Sequence, residues 1–311
     1  MRHQVFGCGV MALALMAGTA PLGAQAPDAK AADVLAASRK AIGDKKLDGL
    51  KTFSVQASQQ RNVGSTQMQG EVEMLIEMPD KYVRSEAIGR MNTTMTTGFN
   101  GDKAILPSGA RVMPGGGMMI TMGGPGAALG HEAPKPTAED LEQMHKASLR
   151  NYRQEISRLM LGWFGSVHPS LKASYTYAGE AESPDGKAHV IDVKDADGFA
   201  ARLFIDQVSH LPLMVTYQGR QGRVMTSRVP GGAGAPQVMT RAAGEAAGQV
   251  AQESPLVEFS YFFEDWREAD GINFPHKIRR VSAGETNEEW TINKVKVNPK
   301  IDPKTFAGEG K

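Results

Sequence analysis

Apolar and polar residues alternate with a period of two along much of the chain, as in strands that bury one face. Residues 53–57 and 71–77 place an apolar side chain at every second position. Similar patterns cover residues 82–86, 91–97, 103–106, 173–178, 188–193, 201–206, 213–218, 256–266, 272–282 and 285–297. Tight turn sequences such as Asn100-Gly101-Asp102 join neighbouring runs. Because such turns leave no room for crossover helices, the pattern predicts an antiparallel meander.

Two segments have the residue spacing of amphipathic helices instead. Residues 29–42 are rich in helix formers and are followed by a glycine, which suits a helix C-terminus. The second segment begins with Thr137 as its N-cap and has acidic residues in its first turn, where the helix dipole favours them. Its apolar spacing predicts a helix that reaches Leu161, with Trp163 and Phe164 just beyond its end.

Glycine-rich segments near 107–136 and 230–254 interrupt the strand pattern. The strands on either side of each segment are similar in kind, so we interpret both as flexible insertions rather than domain linkers. Residues 25–311 then form a single domain in which the strands greatly outnumber the helices. We predict an α+β, mainly β fold: a curved antiparallel sheet, or incomplete β-barrel, with a helical lid.

The N-terminal segment, residues 1–24, has the features of a secretory signal peptide. A basic start at Arg2 precedes an apolar run, and we place the cleavage after Ala24. A membrane anchor is the alternative, but the run is short for one and contains glycines. The one cysteine, Cys8, falls inside this segment, so the mature protein is expected to lack disulfides and thiols. We therefore expect an exported, periplasmic protein.

Charge is nearly balanced over the chain, with 35 Lys and Arg residues against 34 Asp and Glu residues. The two signs are interspersed along the sequence. Nucleic-acid binding requires a concentrated basic face, so we expect no nucleic-acid partner.

Catalytic and metal-binding patterns are weak. The stretch "FIDQVSHLP" brings Asp206, Ser209 and His210 within five positions, but known triads draw these residue types from distant parts of the chain. We interpret the stretch as a strand end, a turn and a strand start. Glu142 and His145 share a helix face, yet a di-metal bundle needs two such helices. We predict no catalytic residue, no metal site and no cofactor.

Methionine is frequent, with 17 residues in the chain, and several lie in the segment before the long helix. Methionine side chains are flexible and adapt to ligands of variable shape. A methionine-rich segment beside a concave sheet is suited to covering a lipid. The alternative is a loop in which these residues have no role.

The ordered motifs resemble those of the periplasmic lipoprotein-carrier family (LolA/LolB-like), also described as outer-membrane lipoprotein-sorting proteins. The resemblance begins with the strand pair and proline-containing turn "TFSVQASQQRNVGSTQMQGEVEMLIEMPDKYVRSE" at residues 52–86. It continues with the hairpin at residues 99–103, the strand pair "LFIDQVSHLPLMVTY" at 203–217 and the closing segment "VNPKIDPKTF" at 297–306. The resemblance covers most of residues 30–306.

The resemblance implies a half-barrel whose helices cover an apolar cavity that holds acyl chains. We expect a non-enzymatic periplasmic carrier of a lipid or an acylated protein, with transient membrane contact. An envelope sensor or scaffold that uses the same fold to bind a protein partner is the alternative, and an enzyme with an unrecognised site is a third. A carrier needs an open interior. The residues predicted to line its cavity or lid are Val72, Met74, Ile76, Met118, Met119, Met122, Trp163 and Phe164.

Overall fold

The computed structural model describes residues 28–63, 66–88, 93–107, 110–113, 117–120, 137–184, 186–220, 223–227, 237–241 and 256–307. The α-helices are α1 (Ala29–Ile42) and α2 (Ala138–Phe164), and short 3-10 helices cover Asp44–Gly49 and Pro303–Ala307. The first strands are β1 (Thr52–Val63), β2 (Thr66–Glu77), β3 (Lys81–Ile88), β4 (Thr93–Asn100), β5 (Lys103–Ile105), β6 (Ala110–Met113) and β7 (Gly117–Ile120). After α2 come β8 (Ala173–Ser183), β9 (Gly186–Asp195), β10 (Ala200–Asp206), β11 (Pro212–Arg220), β12 (Arg223–Ser227), β13 (Gln237–Arg241), β14 (Leu256–Ala269), β15 (Ile272–Ser282) and β16 (Glu285–Val297).

Within the described ranges, twelve strands form one antiparallel sheet in the order β5-β4-β3-β2-β1-β16-β15-β14-β11-β10-β9-β8. Pairing of β1 with β16 joins the two ends of the chain in the middle of this sheet. Register shifts at Gln56/Ala57 and at Arg280/Val281 bend the strands. The sheet does not close, and the predicted fold class is confirmed: a curved half-barrel with a helical lid.

Parts of the two glycine-rich segments form a second sheet. Its four strands have the order β12-β13-β7-β6, so β7 from the first segment pairs with β13 from the second, while β12 lies just before the second segment. No strands were predicted in these segments, because their many glycines interrupt the alternation of apolar and polar residues. The remaining residues of both segments lie outside the described ranges.

The long helix α2 begins as predicted, and it ends later than predicted. A capping box joins Thr137 and Asp140 at its start. The predicted end at Leu161 is wrong, since the helix continues through Trp163 and Phe164 to Gly165. Gly165 has φ 68°, a left-handed conformation that terminates helices. No helix in the described ranges combines the length and apolar content needed to cross a bilayer.

An aromatic core lies where the C-terminal end of α2 meets the concave face of the sheet. Trp163 is fully buried, and its ring centroid lies 5.2 Å from that of Phe274 and 6.1 Å from that of Phe53. Gly162 lets the helix approach closely, because a Cβ at this position would lie 1.9 Å from the ring of Phe263. Packing at this end of α2 therefore fixes the helix on the sheet.

Candidate binding cleft

A cleft of about 550 Å³ lies beside the aromatic core, between the middle of α2 and the concave face of the sheet. Its walls come from α2, the loop after β5 and seven strands from both halves of the chain. The lining residues are Arg61, Arg84, Glu86, Met95, Thr97, Pro107, Asn151, Tyr152, Gln154, Glu155, Arg158, Tyr217, Gln218, Gly219, Arg220, Phe259, Tyr261, Arg280 and Glu288.

The charged residues of the cleft occupy inward positions of the same strands that build the core. On β3, Arg84 and Glu86 follow the buried Tyr82 at two-residue intervals, so all three side chains share one face. On β16, Glu288 precedes the buried Trp290 in the same way. Along each strand, the concave face therefore changes from apolar to charged.

Glu288 lies at the centre of a buried network of polar side chains. Its carboxylate accepts hydrogen bonds from Trp290 Nε1 at 2.6 Å and from the Nη2 atoms of Arg61 and Arg84, each at 3.2 Å. Gln59 also donates to this carboxylate. A buried carboxylate with this many donors is well compensated for the loss of water.

Arg84 connects the sheet to α2. Its guanidinium pairs with Glu86 on its own strand and with Glu155 on the helix, and it lies 4.8 Å from the ring centroid of Trp290. Further along α2, Arg153 Nη2 donates to the carbonyl oxygen of Gly101 at 3.0 Å. Polar contacts therefore hold the middle of α2 over the cleft.

The protonation of Glu288 follows from its arginine neighbours. Burial alone would raise its pKa, but the positive charges of Arg61, Arg84 and Arg280 outweigh burial and lower the pKa to about 2. At neutral pH this group is a stable carboxylate. It is therefore poorly suited to act as a general acid or base.

The opposite wall of the cleft combines aromatic rings with two further arginines. The ring of Tyr217 stacks on Phe259 at 5.3 Å and on Tyr261 at 5.9 Å between centroids. The guanidinium of Arg158 lies 4.1 Å from the ring centroid of Tyr217, and that of Arg280 lies 4.5 Å from the centroid of Phe259. This wall is both apolar and positively charged, a combination that suits a ligand with an apolar part and an anionic group.

The residues predicted to line an apolar cavity lie elsewhere. Val72, Met74, Ile76, Trp163 and Phe164 are buried in the core, where they pack with other side chains of the chain, and none of them lines the cleft. Their role in ligand binding stays a prediction.

The methionine positions are only partly described. Met118 and Met119 lie in β7, the strand of the second sheet that pairs with β13. Met122 lies outside the described residues. Their proposed contact with a ligand also stays a prediction.

The turn that holds Asp206, Ser209 and His210 is a hairpin connection, as predicted. Asp206 Oδ1 accepts from the backbone N–H groups of Val208 at 3.1 Å and Ser209 at 2.6 Å, and from the Ser209 hydroxyl at 2.7 Å. His210 has φ 58°, which reverses the chain before β11. The carboxylate oxygen of Asp206 therefore stabilises the turn.

The paired helix residues Glu142 and His145 are both exposed on α2, and Glu142 forms an ion pair with Lys146 at 2.6 Å. In the part of the chain that the structure describes, no group of three or more His, Cys, Asp or Glu side chains is placed to hold a metal ion.

Sequence reasoning missed the arginines and glutamates of the cleft. A signal was present in the alternation: Arg84, Glu86 and Glu288 stand at positions where the pattern requires an inward side chain. A charged residue at such a position indicates a buried polar site. The pattern does not say which distant charges meet there.

No protein-family model and no curated protein matches the chain. Among solved structures, it is similar to a LolA superfamily protein from Nitrosomonas europaea, with 9% identity, a TM-score of 0.46, and coverage of 89% of this chain and 96% of that one. A DUF1329 family protein from Desulfovibrio piger has 10% identity, a TM-score of 0.43 and the same coverage. An outer membrane lipoprotein-sorting protein domain from Vibrio parahaemolyticus has 10% identity, a TM-score of 0.42, and coverage of 89% and 96%. These likenesses concern the fold alone.

Proposed function

We propose that this chain is a non-enzymatic periplasmic carrier that binds the acyl chain of a lipid or of an acylated protein beneath α2. One observation carries the proposal: an open half-barrel leaves a cleft of about 550 Å³ between the helix and the concave face. This volume is in the range of about 300–1,000 Å³ that is typical of small-molecule sites. Met95, Pro107 and Phe259 supply apolar surface within it.

The way in which α2 is held supports exchange of a ligand. Over the cleft, α2 is held by the ion pair between Arg84 and Glu155, and Glu155 is 30% exposed. Water can take the place of Arg84 beside the partly exposed Glu155, and the buried Arg84 keeps its pairs with Glu86 and Glu288. This contact therefore breaks at a lower cost than apolar packing. An acyl chain that enters after α2 lifts would gain about 0.8 kcal/mol for each CH₂ group it buries. Release then requires the same movement in reverse, at a membrane or at a partner.

The chemistry of the lining favours binding over catalysis. The described lining contains no histidine, cysteine or serine side chain that could act as a nucleophile or its base. Of its three carboxylates, Glu86 and Glu288 are buried, and all three pair with arginines. Because its arginine neighbours lower the pKa of Glu288 to about 2, this carboxylate stays charged near neutral pH.

A second candidate is an envelope sensor or scaffold that binds a protein partner. It is favoured by the interior of the half-barrel, where Met74, Ile76 and Trp163 are fully buried against the chain's own side chains. A scaffold needs no open interior, and a partner segment would then dock at the cleft or on α2. The two candidates differ in whether a lipid accompanies the protein.

Mass spectrometry of lipids extracted from protein purified gently from its native compartment tests the proposal. We expect acyl lipids in near-stoichiometric amount. In a Thr97→Trp variant, a bulky ring enters the cleft and should displace them. Thr96→Trp is the matched control, because Thr96 does not line the cleft and its hydroxyl lies 3.2 Å from that of Ser85.

The outcomes separate the two candidates. Loss of lipid in the Thr97→Trp variant, with retention in the Thr96→Trp variant, supports the carrier. Repeated absence of lipid from the wild-type protein contradicts it. If an envelope protein then co-purifies with wild type and is lost only in Thr97→Trp, the scaffold is the better account.

A further inference from the structure

The lining of the cleft carries excess positive charge. Even with Arg220 set aside, its described residues include four arginines and three carboxylates, those of Glu86, Glu155 and Glu288. The site is enclosed by protein on two sides, so these charges are less screened than they would be on an open surface. Such a cleft favours an anionic ligand over a neutral one.

The carboxylates are used mainly by two of the arginines. Arg84 pairs with Glu86, Glu155 and Glu288, and Arg61 pairs with Glu86 and Glu288. Arg280 reaches only the far oxygen of Glu288, at 3.9 Å. Its Nη2 donates instead to the hydroxyl of Tyr217 at 3.2 Å, and its Nε–H has no hydrogen-bond partner among the described residues.

Arg158 forms no ion pair with any residue that the structure describes. Its Nη2 donates to Gln154 Oε1 at 3.2 Å, and its Nε–H is buried without a hydrogen-bond partner among the described residues. Burial lowers the pKa of Arg158, but a guanidinium remains charged at neutral pH. A partly buried cation that no carboxylate neutralises is costly for the folded chain unless a bound anion compensates it.

Both arginines converge on one tyrosine. Arg158 lies over the ring of Tyr217, and Arg280 donates to its hydroxyl. Their remaining N–H groups therefore border the same part of the cleft. A phosphate group has several strong acceptor oxygens and can accept from two guanidinium groups at once, a geometry for which arginine is better suited than lysine.

We propose that Arg158 and Arg280 bind the phosphate group of an anionic lipid, whose chains lie along the aromatic and apolar wall of the cleft. This inference rests on the proposed function and specifies its ligand class. The phosphate supplies a counter-charge to Arg158, which has no ion pair among the described residues, and to Arg280, whose pair with Glu288 is long at 3.9 Å. Zwitterionic lipids present the same phosphate with an adjacent cation, which the arginines repel.

Titration calorimetry with short-chain lipids below their micellar concentration tests this inference on the full mature chain. The probes are dihexanoyl phosphatidylglycerol, dihexanoyl phosphatidylcholine and inorganic phosphate. We expect wild type to bind the phosphatidylglycerol at least about tenfold more tightly than the phosphatidylcholine at low salt, since one charge-assisted hydrogen bond contributes a factor of this size. Arg158→Gln and Arg280→Gln should each remove most of this preference.

Matched controls lie on the same elements. Arg279→Gln changes the neighbour of Arg280 on β15, where Arg279 pairs with Glu264 and does not line the cleft. Arg150→Gln changes an exposed arginine on α2. Both should keep the wild-type preference. Arg158→Lys and Arg280→Lys keep the charge and should retain part of it, which distinguishes loss of the anion site from loss of folding.

The outcomes also separate this inference from the proposed function. Equal binding of both lipids, unchanged in Arg158→Gln and Arg280→Gln, overturns the phosphate site and leaves lipid carriage standing. Arginine-dependent binding of inorganic phosphate without binding of either lipid supports the phosphate site and contradicts lipid carriage. Absence of binding to all three probes overturns both.

Discussion

The two parts of α2 meet the same concave sheet in different ways. At its C-terminal end, Trp163 and Phe164 are buried among aromatic rings. One to two turns earlier, Glu155 and Arg158 face a cleft lined by arginines, glutamates and tyrosines. One end of the helix is thus fixed by packing, and the middle is held by pairs of charges.

This difference allows the C-terminal end of α2 to stabilise the fold while the middle of α2 permits a ligand to exchange. The attraction between packed apolar side chains falls steeply as the atoms separate, because atoms that line a void lose their van der Waals contacts. An ion pair can exchange one partner for another, including water or the head group of a ligand. A helix anchored in this way can move over the cleft while the core stays intact. The following predictions test the contrast, from the largest expected effect to the smallest.

Removal of the core ring should have the largest effect. Trp163→Ala deletes a fully buried side chain and should lower the free energy of unfolding by about 3–5 kcal/mol. Leu141 lies near the N-terminal end of the same helix and is 39% exposed, so Leu141→Ala should cost less than about 1 kcal/mol. Urea unfolding followed by circular dichroism measures both. Similar losses for the two variants would contradict the assignment of the core to the C-terminal end of α2.

Loss of the Glu288 carboxylate, at the centre of the charged network, should lower the free energy of unfolding almost as strongly. Glu288→Gln leaves the buried Arg84 and the partly exposed Arg61 with one fewer counter-charge and should cost about 3 kcal/mol. Glu289→Gln is the matched control, since Glu289 is partly exposed and pairs with Lys277 at 3.2 Å. The same urea experiment applies. An unchanged free energy of unfolding in Glu288→Gln would show that the network contributes little to folding.

Acid should destabilise the fold through His168, which follows the packed C-terminal end of α2. Burial, aided by the positive charge of Arg153, lowers the pKa of His168 to about 4. The unfolded chain takes up a proton near pH 6.5 and the folded chain does not until about pH 4, so stability is present above pH 6.5 and is lost as the pH falls through this window. Between pH 7 and pH 5 the expected loss is about 2 kcal/mol.

The variant His168→Asn tests this assignment. Asparagine can accept from the Ser170 N–H, as His168 Nδ1 does at 3.2 Å, but it does not titrate. Its stability should therefore change less between pH 7 and pH 5 than that of wild type. His145→Asn, at an exposed position on α2, should keep the wild-type dependence. An unchanged slope in His168→Asn would remove His168 as the cause.

The smallest effect on stability is expected for the contact between α2 and β3. Glu155→Gln removes the charge that faces Arg84 and should cost about 1 kcal/mol or less, because Glu155 is partly exposed. Hydrogen exchange should nevertheless quicken in α2 near residue 155 and not at Trp163. Glu142→Gln, which breaks the exposed pair with Lys146, is the control. Equal exchange in both variants would contradict a separately mobile middle of α2.

Much of the fold could be predicted because its signals are local. The first helix has the predicted bounds, Ala29–Ile42, since its apolar spacing and the glycine after it lie within one short segment. The turn at Asp206 was predicted from the hydrogen-bonding habit of one side chain. The end of α2 was misplaced, because apolar spacing locates the end of a helix only approximately. The helix continues through Gly162. Only the ring of Phe263, packed against it, explains that glycine.

The candidate site could not be assembled from the sequence. Arg84, Glu155, Arg158, Arg280 and Glu288 come from β3, α2, β15 and β16, and Arg84 and Glu288 are 204 positions apart. Alternation indicates that a side chain points inward, and it carries no information about the partner it meets. For the predicted apolar lining, alternation gave the inward direction of Val72, Met74 and Ile76 correctly. It could not show that these side chains would pack in the core.

The sequence by itself determined the elements: two helices, a long series of antiparallel strands, the face that each strand buries and the turns between them. These depend on the conformational preferences and polarity of neighbouring residues. The tertiary structure decided which strands lie side by side, that β1 pairs with β16, and that the inward charges gather into a positive cleft beneath α2. Such contacts join residues far apart in the chain, and their energies exist only once the sheet has curved and the helix has packed against it.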